Sequence, residues 1–212
     1  MSSQKSAICN LKSKIVVGLV GGIGRGKSSV AAAFAERGAR VVSGDRAGHE
    51  ALRQQEIRQR VVERFGPGVL DAQGQIDRRR LGAIVFADAG ERQALEAIVF
   101  PFIEQRLREE ITAARADPQV ALIVLDAAIM IEAGWNRICD KLILVDAPRP
   151  LRLRRLAAQR GWSAKEVEIR ERAQMPVEEK AKRADHVIDN SGAPEHVAAQ
   201  VDDLVRQWRS KQ

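Results

Sequence analysis

Five glycines fall between Gly18 and Gly26 in the stretch VGLVGGIGRGKSSVAAAF, Val17 to Phe34, and this cluster constrains the fold more than any other feature. Glycine loses more backbone freedom on folding than any other residue, so a cluster needs a local reason, such as positive φ or close approach of another group. The flanks supply the setting: an apolar β-branched run precedes the cluster, and an alanine-rich segment with helical character follows it. Gly21-Gly22-Ile23-Gly24-Arg25-Gly26-Lys27-Ser28 fits G-x-x-x-x-G-K-[ST] at a strand-to-helix turn, where backbone N–H groups can cradle phosphate oxygens. The helix N-terminus adds positive potential, Lys27 reaches the β- and γ-phosphates, and Ser28 can hold Mg²⁺. A glycine turn that merely packs helix on strand is the bland alternative, and the eight-residue pattern speaks against it. The motif implies a nucleoside triphosphate site.

The 212 residues, 45% of them hydrophobic, suffice for one full core, or for one domain carrying an inserted lobe. No apolar run approaches the ~20 residues of a membrane span, and residues 1–13 read as a polar, disordered leader without a signal-peptide core. With two cysteines there is neither a disulfide framework nor a metal pattern, which favours a reducing cytoplasm. Cys139 reads as packing and Cys9 as incidental. The net charge of +7 favours an anionic partner. Aromatic content of 4%, no tyrosine and no basic tail leave nucleic acid poorly supported, and nothing points to a membrane.

Short, nearly continuous β-branched runs at 14–20, 40–43, 120–126, 141–147 and 186–190 read as strands buried on both faces. Helical patterns separate them, including Lys27 to Arg37 before Gly38 and Ala193 to Arg209. The alternation predicts an α/β fold with a five-stranded parallel sheet and helices on both faces. Residues 46–116 are too long for a simple crossover and read as an inserted helical lobe. Its last stretch, with three-and-four apolar spacing across Pro101, is one kinked helix or two abutting ones. A second, Arg-rich helical excursion fills 148–183. The whole of 14–212 then forms a single domain with its core in 14–45, 117–147 and 184–212.

No N-K-x-D stretch marks a GTPase. Small-molecule kinases of this architecture place an acid after the second strand and arginines on a lid. Asp45 stands just past the second strand, and Arg152, Arg154, Arg155 and Arg160 stand in the excursion. Asp45 is equally consistent with a helix N-cap, and a solvated basic face describes Arg152 and Arg154. Asp126, closing ALIVLD, is a candidate to act on Mg²⁺ through water, or a strand-end acid. His49, His186 and His196 show no ligand spacing.

From Ile15 to Leu204 the chain resembles the dephospho-CoA kinase family, which phosphorylates the 3′-hydroxyl of dephospho-CoA with ATP. The resemblance is carried by VGLVGGIGRGKSSVA, FGPGVLDAQGQIDRRRLGAIVF, VLDAAIMIEAGW, RLRRLAAQRGWS and QMPVEEKAKRADHVIDNSG, in that order. It implies a P-loop kinase fold with a helical acceptor-binding lobe at 46–116 and an Arg-rich lid at 148–183. It implies ATP and dephospho-CoA as substrates, with Mg²⁺. The catalytic set would be Lys27, Asp45 and Arg155. ATP would be held by Gly22, Ile23, Gly24, Arg25, Gly26, Lys27, Ser28, Ser29, Arg155, Arg160 and Asn190. The acceptor would meet Asp45, Asp77, Arg78 and Glu132.

Three positions depart from the family pattern: Ser43 replaces the first acid of D-x-D, Phe100 a histidine, and Ala128 a proline. They bear on substrate geometry more than on reaction class. A kinase for another hydroxyl acceptor, such as a nucleoside monophosphate or sugar acid, and a non-catalytic nucleotide-binding switch are the competing expectations.

Overall fold

Ile15–Val20 forms strand β1, five of its six residues buried, because IVVGLV is apolar on both sides of the pleat. The computed structural model describes residues 14–210, so the leader and Cys9 lie outside the described residues. β1 is the centre of a five-stranded parallel sheet whose other members are β2 (Arg40–Ser43), β3 (Leu122–Asp126), β4 (Lys141–Asp146) and β5 (His186–Asp189). The order is β2-β3-β1-β4-β5. All pairs are parallel, with Leu19 opposite Asp126, Val20 opposite Leu144, Ser43 opposite Asp126 and Asp146 opposite Asp189. The C-terminal ends of the strands therefore share one edge of the sheet, which is where ligands bind in open parallel sheets.

One face packs on helices α1 (Lys27–Ala35) and α9 (Pro194–Ser210). Val17, Leu19, Val124, Ile143 and Ile188 meet Val30, Phe34, Val197, Val201 and Trp208 in one cluster. The Phe34 and Trp208 rings stack 6.3 Å apart and 6° from parallel. The other face is covered beside Gly18, where a Cβ would lie 2.6 Å from Met130 Sδ and 2.8 Å from Cys139 Sγ. Cys139 is a packing residue, and burial pushes its thiol pKa up to about 12.

The remaining helices are α2 (Gly44–Ala51), α3 (Gln55–Phe65), α4 (Arg78–Ala87), α5 (Ala89–Ala116), α6 (Arg149–Arg160), α7 (Ala164–Arg172) and α8 (Val177–Ala181). α5 runs through Pro101 as one helix. The proline sacrifices one backbone hydrogen bond, while Ile98, Val99, Ile103, Leu107 and Ile111 stay buried along the helix. Gly161 ends α6 in the left-handed conformation, and a Ser163–Glu166 capping box starts α7. The chain divides into two compact units, one running up to Ser43 and from Arg108 onward, the other Gly44–Leu107. Among the described residues no helix is long and apolar enough to cross a membrane.

Candidate active site

The glycine-rich turn leaves β1 and ends at Gly26, whose φ of 80° precedes the first residue of α1. A side chain is impossible there on two counts: the left-handed φ disfavours it, and a Cβ would lie 2.0 Å from Asn190 Nδ2. That amide, on a residue 4% exposed, donates to Arg25 O at 2.9 Å and to Gly26 O at 3.5 Å. A peptide unit is planar, with its C=O and N–H pointing in opposite directions. Holding the Arg25 carbonyl therefore turns the Gly26 N–H away from Asn190, while the Gly26 carbonyl is taken chiefly by the Ser29 N–H at 3.0 Å and the Val30 N–H at 3.3 Å as α1 begins. Asn190, expected to serve ATP binding, shapes the loop directly. Lys27 Nζ folds over the turn and donates to Gly21 O at 3.3 Å. Ser28 and Ser29 open α1 with exposed side chains.

Arg25 points back rather than outward. It is 9% exposed and ion-paired with Asp146 at the end of β4. Burial lowers its pKa, the neighbouring Arg152 cation lowers it further, and Glu171 and Glu178 oppose both. Asp146 also accepts the Ala147 N–H at 2.8 Å.

Arg152 corrects the sequence reading, which places it on a solvated face. It is 6% exposed, and its Nη1 donates to Ile23 O at 3.1 Å and to Glu171. Arg154 is exposed, as expected. Arg155 is half-buried; its Nη1 has no hydrogen-bond partner among the described residues and lies 3.5 Å from where a Gly26 Cβ would stand. Arg160 is exposed, its guanidinium 4.8 Å from the centre of the Trp162 ring.

Glu132 accepts the Met175 N–H at 2.9 Å and pairs with Lys180 at 2.9 Å. Lys180, 1% exposed, also donates to Ala128 O at 3.2 Å. Sequence reasoning missed Lys180 entirely, because nothing local distinguishes it from the exposed charges of the same helix.

In the other unit, Asp45 is exposed in the first turn of α2, so it is a helical residue and not the N-cap. His49, four residues on, is held below its ordinary pKa by burial, then by the charges of Arg78 and Arg53, with Asp45 opposing. Asp45 and Arg78 thus share one electrostatic neighbourhood. Asp77 is the N-cap of α4, accepting from Arg79 N at 2.9 Å and Arg80 N at 3.2 Å. Those bonds, Arg80's first, lower its pKa. An aspartate ahead of a helix is a legible capping signal, and the sequence reading assigned it to the acceptor instead.

Among the described residues no three His, Cys, Asp or Glu side chains converge on a metal position. Mg²⁺ needs no such cage, since it keeps several waters and takes one or two protein oxygens beside phosphates. The Ser28 hydroxyl and the Asp126 carboxylate are hard oxygen donors of that kind. Asp126 ends β3 directly opposite Leu19, one residue before β1 gives way to the loop. The residues fit the ion.

A family model described as CoaE, dephospho-CoA kinase, matches residues 15–195. A dephospho-CoA kinase of Symbiobacterium thermophilum is 40% identical over 196 residues, covering 92% of this chain and 80% of that protein. One of Geobacillus kaustophilus is 39% identical over 195 residues, covering 92% and 96%. The solved structure of TT1252 from Thermus thermophilus superposes with a TM-score of 0.77 at 36% identity, covering 92% of this chain and 98% of that one. The glycine loop on β1, the parallel sheet that carries it and the match across 15–195 make the chain a member of the dephospho-CoA kinase family.

Proposed function

We propose that the protein transfers the γ-phosphoryl group of ATP to the 3′-hydroxyl of dephospho-CoA, releasing ADP and coenzyme A, in a reducing cytoplasm. The match to the family over 15–195 carries the identity of the acceptor. Phosphoryl transfer asks the protein mainly for positioning and charge stabilisation. The loop N–H groups from Gly22 to Ser29 receive the phosphate oxygens, and Lys27 follows charge onto the β,γ-bridging oxygen. Asp45 orients the 3′-hydroxyl and takes its proton as oxygen attacks γ-phosphorus and the bond to the bridging oxygen breaks. Ser28 and Asp126 would hold Mg²⁺, which neutralises phosphate charge when bound. Arg155 covers the transferred group, and Arg160 moves from Trp162 to ATP. Residues 46–116 form the acceptor lobe, and Asp45, Asp77, Arg78 and Glu132 are the residues that would meet the acceptor.

The test is acceptor-dependent ADP formation from ATP and Mg²⁺, with dephospho-CoA, nucleoside monophosphates, shikimate and gluconate compared on one preparation. Turnover on dephospho-CoA alone is expected. Equal turnover on another acceptor sinks the reading, and ATP binding without ADP formation on any acceptor marks a switch.

Two substitutions probe the nucleotide site. Gly26→Ala forces a left-handed alanine against Asn190, and calorimetry with a non-hydrolysable ATP analogue is expected to show binding weakened about tenfold or more, ~1.4 kcal/mol. Parent-like affinity would mean that the loop adapts. Arg155→Lys keeps the charge but loses the planar fork, so turnover is expected to fall by on the order of tenfold or more. Arg154→Lys, on an exposed residue, is expected to match the parent, and a parent-like Arg155→Lys would show that charge alone suffices.

A further inference from the structure

A single nitrogen of Arg152 bridges two parts of the protein that the chain keeps far apart. Arg152 lies on α6, while Ile23, whose carbonyl it holds, belongs to the phosphate loop 129 residues earlier. The same Nη1 donates to Glu171 on α7. Glu171 is fixed from its other oxygen by Arg149 Nη1 at 2.9 Å. The desolvation of Glu171 is outweighed by the hydrogen bonds and charges of Arg152 and Arg149, and the net effect holds its carboxyl below the usual range. Beside this contact α6 presses directly on the loop: a Cβ on Gly24 would lie 2.8 Å from Leu156 and 3.3 Å from Arg152 Cβ. A buried guanidinium is costly unless paired; Glu171 supplies the countercharge, shared with Arg149, while Arg152 Nε has no partner among the described residues. The extra bond to Ile23 O serves the loop. Since a peptide unit is planar, fixing the Ile23 carbonyl toward α6 points the Gly24 N–H away from α6. Asn190 does the same for the Gly26 N–H, by holding the Arg25 carbonyl, from the opposite end of the loop.

We propose that Arg152 is a positioning residue for phosphoryl transfer: anchored by Glu171, it sets the direction of the Gly24 N–H that receives a phosphate oxygen, and so couples the α6–α7 lid to ATP binding. The proposal rests on the ATP-dependent kinase reading above. Its action is on ATP, through the loop, and not on the acceptor. Losing Arg152 therefore separates the two substrates in a way that a general loss of stability does not.

The experiment measures binding of a non-hydrolysable ATP analogue by calorimetry, and KM and kcat for both substrates, in Arg152→Met, Arg152→Lys and Glu171→Gln. Arg152→Met is expected to weaken analogue binding and raise KM for ATP by about tenfold or more, with KM for dephospho-CoA within about twofold of the parent. Arg152→Lys recovers part of the loss, and Glu171→Gln shows a smaller change in the same direction. Parent-like ATP affinity in Arg152→Met overturns the proposal, even if its melting temperature falls, and so does an equal loss toward both substrates. If Arg152→Met fails to fold, the near-isosteric Glu171→Gln decides, and unchanged ATP affinity there overturns it. A parent enzyme that binds the analogue but does not phosphorylate dephospho-CoA refutes the acceptor reading, and the binding comparison still judges Arg152.

Discussion

Lys27→Ala is expected to lower turnover by on the order of a hundredfold or more while the protein stays folded. The ammonium already lies over the turn, 3.3 Å from Gly21 O. Alanine is compatible with the first turn of α1, and the core behind it, built on Val30, Ala31, Ala33 and Phe34, is untouched. What would disappear, on the proposed function, is a cation that tracks charge from the γ-phosphate to the bridging oxygen, an interaction stronger in the transition state than in the ground state. The measurement is kcat for ADP formation with circular dichroism on the same sample. A folded variant with near-parent turnover would show that the loop binds phosphate without catalysing its transfer.

Asp45→Asn is expected to be as damaging, for a different reason. Asp45 sits inside the first turn of α2 and is exposed. Its structural contribution is therefore a carboxylate near a helix N-terminus, worth only ~0.3–1 kcal/mol. Asparagine forfeits that charge, and a small fall in melting temperature is the whole structural effect. In the proposed role of taking the proton of the 3′-hydroxyl, Asp45 would need the anion, and losing a general base costs ~10²–10⁴ in rate. Ser43 offers no substitute, since a hydroxyl is a poor base at neutral pH. The expected result is ATP affinity like the parent's, with acceptor-dependent ADP formation at least about a hundredfold slower. A variant within a few-fold of the parent would leave the acceptor-activating group to be sought elsewhere, with His49 the first residue to examine.

The features legible in the sequence were those whose causes are local. β1, β3 and β4 are runs such as LIVLD and KLILVD, and burial on both faces requires that kind of run wherever it occurs. The glycine loop was legible because its spacing has one backbone solution. Arg152 was misread because helical position says nothing about a carboxylate 19 residues later or a carbonyl 129 residues earlier, and those two partners determine its burial. Asn190 was expected to serve ATP binding, yet its bonds to Arg25 and Gly26 are visible only once β5 lies beyond β4 in the sheet. Asp77 illustrates the reverse: the capping signal was present in the sequence, and the acceptor role given to the residue left that cap unread.

The loop at residues 21–28 takes its shape from groups made much later: Asp146 holds Arg25, Arg152 holds Ile23, and Asn190 holds Arg25 and Gly26. Arg152 lies 129 residues after the carbonyl it holds, and Asn190 lies 165 residues after Arg25. The central strand β1 waits likewise for β3 and β4, and pairings between distant parts of a chain form late. The loop's geometry is therefore a property of the completed sheet and not of the local sequence. A chain ending before β5 is expected to lack the Asn190 bonds to the loop, so nucleotide affinity would report on whether the last strand is in place.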